Sequence, residues 1–320
     1  MNLELLEKSG LQYLDPSKFY EQPVVLRDGR EAVVWIDTIS GHGILDPAYW
    51  VTENYYEEKY RDHSSAKAAG TRVSPQNHLT IFKNLNIKQF RQFNDLLKPE
   101  TRVLEIGCSF GGVLKNVVDS GVSTCHAVEP NQEDAKFASK LVPEAKIYSE
   151  PFENANLQKE FYDLIISLEV LEHIPSPSNF LIKVSSLLRS GGLVNFEVPN
   201  HHSALLKFYT ESNYNRFYYH KAHIHYFTDQ SLNQLFNFCG FEGKVTNFSM
   251  YPFFNHVHWH LNSGPQPSAE LALKTPRPSH IDCETGKKIN DFYSKVENQY
   301  ETMVNQYGVG DCLIFKGKKK

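Results

Sequence analysis

Three side chains able to move protons or bind metal, Glu169, Glu172 and His173, fall in one short run. If the run forms a helical turn, the first glutamate lies three and four residues before the other two, so all three could converge on one divalent ion. His173 could instead remove a proton from a substrate, because the pKa of imidazole lies near neutral pH. It could also be a turn histidine that packs or caps the next helix. The run leaves these roles open.

A second group of candidates comes later in the chain, where histidines concentrate among aromatic residues. The histidines in this region are His201, His202, His220, His223, His225, His256, His258 and His260. His223 and His225 are candidates for proton removal, for substrate contact or for completing a metal site. Aromatic rings beside histidines suit a ring-shaped polar substrate such as a sugar, and they suit a contact between subunits equally well.

A glycine-rich run, residues 103–112, indicates the scaffold that would position these groups. It starts as an apolar strand that carries Glu105 and ends in a loop, where glycines let backbone N–H groups approach a ligand. Ser109 stands where a dinucleotide-binding loop has its second glycine, so the match to that pattern is imperfect. Glu129 ends the next strand, where a carboxylate can bind a ribose diol or favour the N-terminus of the following helix.

Strands and helices alternate through residues 145–199, which predicts a doubly wound, mostly parallel sheet of the α/β class. Further along, the pattern predicts a helix from Asp229 to Phe238, with Thr228 as N-cap and Gly240 at its C-terminal end. A sixth strand over 243–248, a helix over 287–307 and a last strand over 311–316 follow.

Four segments, taken in order, resemble the motifs of class I S-adenosylmethionine-dependent methyltransferases. They are Glu105 to Gly111, Glu129 with Pro130, Tyr162 to Pro175, and Leu188 to Leu193. The resemblance covers about residues 100–250. It implies a Rossmann-like sheet of seven strands, with an antiparallel last strand between the fifth and sixth, and it implies S-adenosylmethionine as cofactor.

The resemblance also assigns roles to residues. The residues that would bind the cofactor are Glu105, Gly107, Cys108, Ser109, Gly111, Glu129, Pro130, Glu150, Pro151, Phe152, Leu168 and Glu169. The first five would hold its amino acid end, Glu129 its ribose, 150–152 its adenine, and the last two would line its floor. Members often carry glycine at the Ser109 position, and we expect the small serine to preserve binding. Some O-methyltransferases acting on quinone precursors or RNA ribose ends bind magnesium at a turn like Glu169 to His173.

The predicted organisation has four parts. Residues 1–98 form an N-terminal extension and lid, 99–254 the cofactor-binding core, 255–308 an insertion, and 309–320 the last core strand and tail. Within the extension, Asp28-Gly29 between two apolar runs predicts a β-hairpin. The aromatic-rich stretch 49–61 predicts a helix that packs on the core or covers the active site, and a second helix is predicted over about 75–97.

Composition restricts the function further. The chain has 320 residues, 41% of them hydrophobic, and a net charge of -4, which provides no overall field for nucleic acid. Its five cysteines show no close pair, which favours reduced thiols over a zinc site. No apolar run reaches the length of a membrane span and the start lacks a signal-peptide pattern, so we expect a cytoplasmic protein without a membrane partner.

Together these features predict methyl transfer from S-adenosylmethionine to a small polar acceptor, with a hydroxyl of a sugar or nucleotide-linked sugar as the main hypothesis. The alternative acceptor is a quinone or other aromatic precursor, with metal assistance as an option. Outside the methyltransferases, a nicotinamide-dependent oxidoreductase is disfavoured by Ser109. A cofactor-binding scaffold without catalysis is the last alternative.

Overall fold

Two β-sheets organise the part of the chain that the computed structural model describes, residues 3–51, 74–209, 213–278 and 282–320. The strands are β1 (Phe19–Val25), β2 (Glu31–Asp37), β3 (Gly43–Leu45), β4 (Arg102–Ile106), β5 (Thr124–Val128), β6 (Lys146–Tyr148), β7 (Tyr162–Leu168), β8 (Leu188–Pro199), β9 (His225–Tyr226), β10 (Phe241–Phe248) and β11 (Cys312–Lys319). The helices are α1 (Leu3–Lys8), α2 (Pro75–Phe90), α3 (Gly112–Asp119), α4 (Gln132–Leu141), α5 (Pro177–Leu187), α6 (Ala204–Lys207), α7 (Tyr214–Tyr218), α8 (Asp229–Phe238), α9 (Phe253–Asn262), α10 (Ala269–Ala272) and α11 (Glu284–Gln306).

The larger sheet has seven strands in the order β10-β11-β8-β7-β4-β5-β6. The strands from β4 to β8 pair in parallel, and β11 runs antiparallel between β8 and β10. This arrangement confirms the doubly wound, mostly parallel fold and the position of the last strand. Helices lie on both faces, which is why most residues of β4 and β7 are buried and apolar, with Glu105 and Ser167 as buried polar residues one position before the strand ends.

The largest difference from the predicted core elements concerns β8. The sequence predicts a turn at Arg189 to Gly192 before the strand, whereas the structure places those residues inside a strand that begins at Leu188. The register with β7 shifts there, because Tyr162 pairs with Leu188 and Leu164 pairs with Leu193. The glycines therefore form an irregularity within β8 and leave the pairing on either side intact.

The smaller sheet has the order β1-β2-β3-β9 and joins the N-terminal region to a distant segment. The predicted hairpin at Asp28-Gly29 connects β1 to β2, and Gly29 has the positive φ of +86° that such turns require. The two-residue strand β9 pairs with β3 through His225 and Tyr226. The sequence did not predict this strand. Most of the stretch 49–61, predicted to be a helix or lid, lies outside the described residues.

Helices α9, α10 and α11 lie between β10 and β11, in the place predicted for an insertion. The predicted helix 229–238 matches α8, where Thr228 and Ser231 form a capping box and Gly240 follows with φ +83°. The proposed boundaries of the four parts stay a prediction. None of the helices in the described ranges has both the length and the apolarity needed to cross a bilayer.

Candidate functional site

The glycine-rich loop lies at the carboxyl end of β4 and leads into α3. Gly107 and Gly111 have φ values of +81° and +80°, a region in which glycine is unstrained. Ser109 has φ +50° in the same loop, which gives a physical reason for the glycine found there in related proteins. The structure also explains Gly107 by its surroundings, because a Cβ added there would collide with the Cγ2 atom of Val170. The loop therefore touches the turn that carries Glu172 and His173.

Glu129 holds this loop in place from the end of β5. One carboxylate oxygen accepts a hydrogen bond from the backbone N–H of Ser109 at 2.8 Å, and the other accepts one from Asn131 at 2.9 Å. The second contact lies just before α4, as the helix-terminus role requires. A carboxylate has about four acceptor positions, so one carboxylate can bind backbone N–H groups and a ribose diol together. Ribose binding by Glu129 stays a prediction.

Glu105 lies beneath the loop and is 3% exposed. Burial, together with the charge of Glu129, raises the pKa of Glu105 to about 8. Its Oε2 atom has no hydrogen-bond partner among the described residues. A buried acid that lacks a partner is costly on its own, and its position fits the ammonium group at the amino acid end of the expected cofactor.

We expect Glu129→Ala to weaken binding of S-adenosylhomocysteine by about 1.5–3 kcal/mol, because charge-assisted hydrogen bonds are lost. Isothermal titration calorimetry measures the effect, and thermal unfolding checks that the loop still folds. Glu133→Ala is the control, since Glu133 is exposed in the first turn of α4, the helix that follows Glu129. Unchanged affinity in Glu129→Ala would leave Glu129 as a loop anchor alone.

The other residues predicted to bind cofactor lie in and after β4, β6 and β7. Cys108 is buried, which raises the pKa of its thiol well above the ordinary value. Phe152 is buried against Phe180, and its carbonyl accepts a hydrogen bond from Lys183 at 2.6 Å. Glu150 and Pro151 are half-buried beside it, after β6, and Leu168 ends β7. Their contacts with a cofactor stay predictions.

The turn after β7 does not have the geometry that the sequence suggested for a metal site. The structure forms a single 3-10 turn over Leu171–His173, and Glu169 precedes it with φ +57°. The positive φ turns the chain, so the carboxylate of Glu169 lies within 4.8 Å of ligand atoms of Glu197 and Cys312. Glu169, Glu172 and His173 therefore do not converge as one set.

A different set of three converges instead, and we call Glu172, His173 and His223 the acid–histidine cluster. The Oε1 atom of Glu172 lies 3.5 Å from Nε2 of His173 and 3.8 Å from Nε2 of His223. Neither oxygen of Glu172 has a hydrogen-bond partner among the described residues, although the side chain is 1% exposed. Burial raises the pKa of Glu172 to about 8 and lowers that of His173 to about 4.

The hydrogen bonds of the cluster fix how His173 presents its ring. Nδ1 of His173 donates to the carbonyl of Ala222 at 2.7 Å, which leaves the lone pair of a neutral ring on Nε2, facing Glu172. Ligand atoms bound tetrahedrally at about 2.1–2.3 Å from one cation are about 3.4–3.8 Å apart. The two measured separations fall in this range. Two imidazoles and a carboxylate suit zinc or iron better than magnesium.

His225 has a different environment from the cluster. Its Nδ1 faces Nε2 of His42 at 3.2 Å, and its Nε2 faces the carbonyl of Pro175 at 3.4 Å. His42 in turn contacts Ser231 at 3.3 Å, which ties β9 to α8. Both ring nitrogens of His225 thus face protein atoms, an arrangement that favours a structural role over the predicted catalytic one.

Sequence reasoning missed a buried polar group next to Glu169. Glu197 in β8 accepts a hydrogen bond from Gln89 at 2.7 Å and a second one from Gln92, and both donors come from the region of α2. Burial raises the pKa of Glu197 to about 7, although the two hydrogen bonds act to lower it. The sequence did carry a signal for this group: an acidic residue stands between two apolar residues, Phe196 and Val198, near the end of a predicted strand.

Comparison with known proteins agrees with this architecture. Residues 80–245, just over half of the chain, match the family model described as a methyltransferase domain. A ubiquinone biosynthesis O-methyltransferase from Roseobacter denitrificans is 30% identical over 114 residues, 31% of this chain and 43% of that protein. The namesake from Burkholderia thailandensis is 30% identical over 117 residues, 32% of this chain and 46% of that protein. The chain thus matches less than half of the length of these relatives.

A solved structure supports the fold alone. Phosphoethanolamine N-methyltransferase 2 from Haemonchus contortus, in complex with S-adenosylhomocysteine, has a TM-score of 0.50 and 16% identity, covering 86% of this chain and 61% of that one. The glycine loop at the end of β4, the parallel sheet with its antiparallel last strand, and the family match all agree. The chain belongs to the methyltransferase domain family.

Proposed function

We propose that this protein is an enzyme that transfers the methyl group of S-adenosylmethionine to a hydroxyl of a quinone precursor or another aromatic acceptor. The observation that carries the proposal is the acid–histidine cluster, in which buried Glu172 has no hydrogen-bond partner among the described residues, and which adjoins the cofactor loop through the Val170–Gly107 contact. The names of the relatives support an aromatic acceptor. The sugar hydroxyl that the sequence suggested has no comparable support and becomes the alternative.

Methyl transfer from a sulfonium is an in-line displacement, so the enzyme must align the acceptor oxygen, exclude water and accept a proton. The glycine loop would hold the amino acid end of the cofactor. The acid–histidine cluster would hold the acceptor oxygen, and the lone pair on Nε2 of His173 gives that oxygen's proton a place to go. Glu172 and His173 are buried and the side chain of His223 is 13% exposed, which limits competing water.

The same cluster fits a divalent cation, because both carboxylate oxygens of Glu172 are buried and have no hydrogen-bond partner among the described residues. Glu172, His173 and His223 would be its protein ligands. Such a cation would lower the pKa of a bound hydroxyl. Nδ1 of His173 keeps its hydrogen bond to Ala222 in this state and orients the ring.

Removal of metal provides the first test. We expect dialysis against a chelator to abolish methylation of catechol, measured as release of S-adenosylhomocysteine, and we expect added zinc or another divalent ion to restore it. S-adenosylhomocysteine should bind equally before and after chelation. Activity that survives chelation would rule out the cation and leave the cluster as a proton acceptor.

Substrate preference provides the second arm of the same test. Catechol and a quinol are compared with a methyl glycoside and with a nucleotide-linked sugar, under one cofactor concentration. The proposal expects turnover on the aromatic acceptors. Turnover confined to the sugars would overturn it in favour of the alternative.

A further inference from the structure

Buried tyrosines cluster beside the candidate site, in a core shared by α7, β9 and the N-terminal hairpin. Its buried aromatic members are Tyr214, Tyr218, Tyr219, Tyr226 and Trp259. Tyr218 is 5% exposed and Tyr226 is 1% exposed. These rings pack within the chain itself, which disfavours the subunit contact that the sequence left open for this region.

The hydroxyls of Tyr218 and Tyr226 are the unusual feature of this core. Neither has a hydrogen-bond acceptor for its proton within the part of the chain that the structure describes. The backbone N–H of His220 faces the oxygen of Tyr226 but does not take up that proton. A buried hydroxyl without an acceptor destabilises the folded chain, and phenylalanine would fill the same space without that cost. Two such hydroxyls on neighbouring rings therefore indicate a binding role for both.

The two tyrosines are neighbours of the acid–histidine cluster. Their ring centroids are 5.7 Å apart, and the ring of Tyr226 lies 6.3 Å from that of His223. Other unsatisfied atoms in this neighbourhood are both oxygens of Glu172, Oε1 of Glu169 and Nδ1 of His223. The two tyrosines thus adjoin the acid–histidine cluster through the rings of Tyr226 and His223.

The state of the hydroxyls determines what could bind. Burial raises the pKa of Tyr218 and that of Tyr226 far above neutral, so both hydroxyls keep their protons. Each can therefore donate a hydrogen bond. A matching ligand must offer an oxygen as acceptor, in addition to the oxygen that is methylated.

We propose that Tyr218 and Tyr226 bind a second oxygen of the acceptor, so that the substrate carries two neighbouring oxygens, one methylated at the acid–histidine cluster and one held by the tyrosines. This inference rests on the proposed function for the placement of the first oxygen. The shared chemistry is a vicinal diol, which both a catechol and a sugar possess. Tyr218 and Tyr226 are in this view specificity-determining residues.

Tyr219 provides a matched control within the same cluster. It is equally buried, but its hydroxyl contacts Nε2 of His201 at 2.9 Å and accepts a hydrogen bond from Gln22 at 3.1 Å. Removing that hydroxyl breaks two side-chain contacts, whereas the hydroxyls of Tyr218 and Tyr226 have no side-chain partner among the described residues. Tyr219→Phe should therefore lower the unfolding temperature, and Tyr218→Phe and Tyr226→Phe should leave it unchanged or raise it.

The experiment compares diols with single hydroxyls in the protein as purified, with S-adenosylhomocysteine bound. Calorimetry measures binding of catechol against phenol, and of a methyl glycoside against its analogue lacking one hydroxyl of the diol. In one of these two pairs, we expect wild type and Tyr219→Phe to bind the diol about tenfold more tightly than the compound that lacks one of its hydroxyls. The double variant Tyr218→Phe/Tyr226→Phe should lose that preference, and in turnover its KM should rise about tenfold with a smaller change in kcat.

The outcomes separate this inference from the proposed function. A tyrosine-dependent preference for the sugar diol alone would keep the inference and overturn the aromatic acceptor. Methylation of catechol by wild type with unchanged kcat/KM in the double variant would keep the proposed function and overturn the inference. Absence of diol binding to wild type, or equal preference in all variants, would also overturn the inference.

Discussion

Glutamine in place of Glu172 is expected to lower the rate of methyl transfer by at least about 100-fold, while the protein folds and binds S-adenosylhomocysteine as before. Glu172 is the member of the acid–histidine cluster that lies near both imidazoles, at 3.5 and 3.8 Å. An amide keeps its shape but cannot offer a charged ligand to a cation. Because burial already disfavours the charge of Glu172, folding stability should not fall.

The measurements are turnover on catechol, bound metal by elemental analysis, and cofactor affinity by calorimetry. Glu169→Gln is the matched control, since Glu169 also has an unsatisfied oxygen but lies with Glu197 and Cys312. We expect Glu169→Gln to retain the metal and Glu172→Gln to lose it. If both variants lose the metal, the grouping suggested by the sequence would be restored. If only Glu169→Gln loses it, the metal would lie with Glu197 and Cys312 and the acid–histidine cluster would be refuted as its site.

Short-range signals predicted the core of the fold well. The glycines after β4, the Asp28-Gly29 hairpin and the Thr228 cap each depend on residues within a few positions of one another. Backbone conformation there follows from local sterics and local hydrogen bonds. The order of motifs along the chain then sufficed to predict the sheet, because parallel β-α-β units have few ways to connect.

Long-range pairings explain what the sequence could not predict. Strand β9 is two residues long and exists only because β3 lies beside it, and His225 contacts His42 from 183 positions away. The metal set failed for a local reason, since the positive φ of Glu169 breaks the helical spacing on which the prediction relied. Such a conformation in a glutamate is uncommon, and the sequence carries no signal for it.

Alanine in place of Gly107 is expected to lower the free energy of unfolding by about 3 kcal/mol and to weaken S-adenosylhomocysteine binding at least tenfold. Two costs combine: about 1–2 kcal/mol for placing a Cβ at φ +81°, and about 1–3 kcal/mol for the collision with Val170. Urea denaturation measures the first effect and calorimetry the second. Gly121→Ala is the control, since φ there is +92° with open space around the position.

Val170→Ala separates the two costs, because it removes the methyl group that Gly107→Ala would strike. In a double-mutant cycle, we expect the pair to recover about 1–2 kcal/mol relative to the sum of the single variants. Additive effects would mean that the loop and the turn move independently. A recovery accompanied by partial return of cofactor affinity would show that one steric contact sets the distance between the cofactor loop and the turn that carries Glu172 and His173. The geometry of methyl transfer would then depend on a glycine that takes no part in the reaction itself.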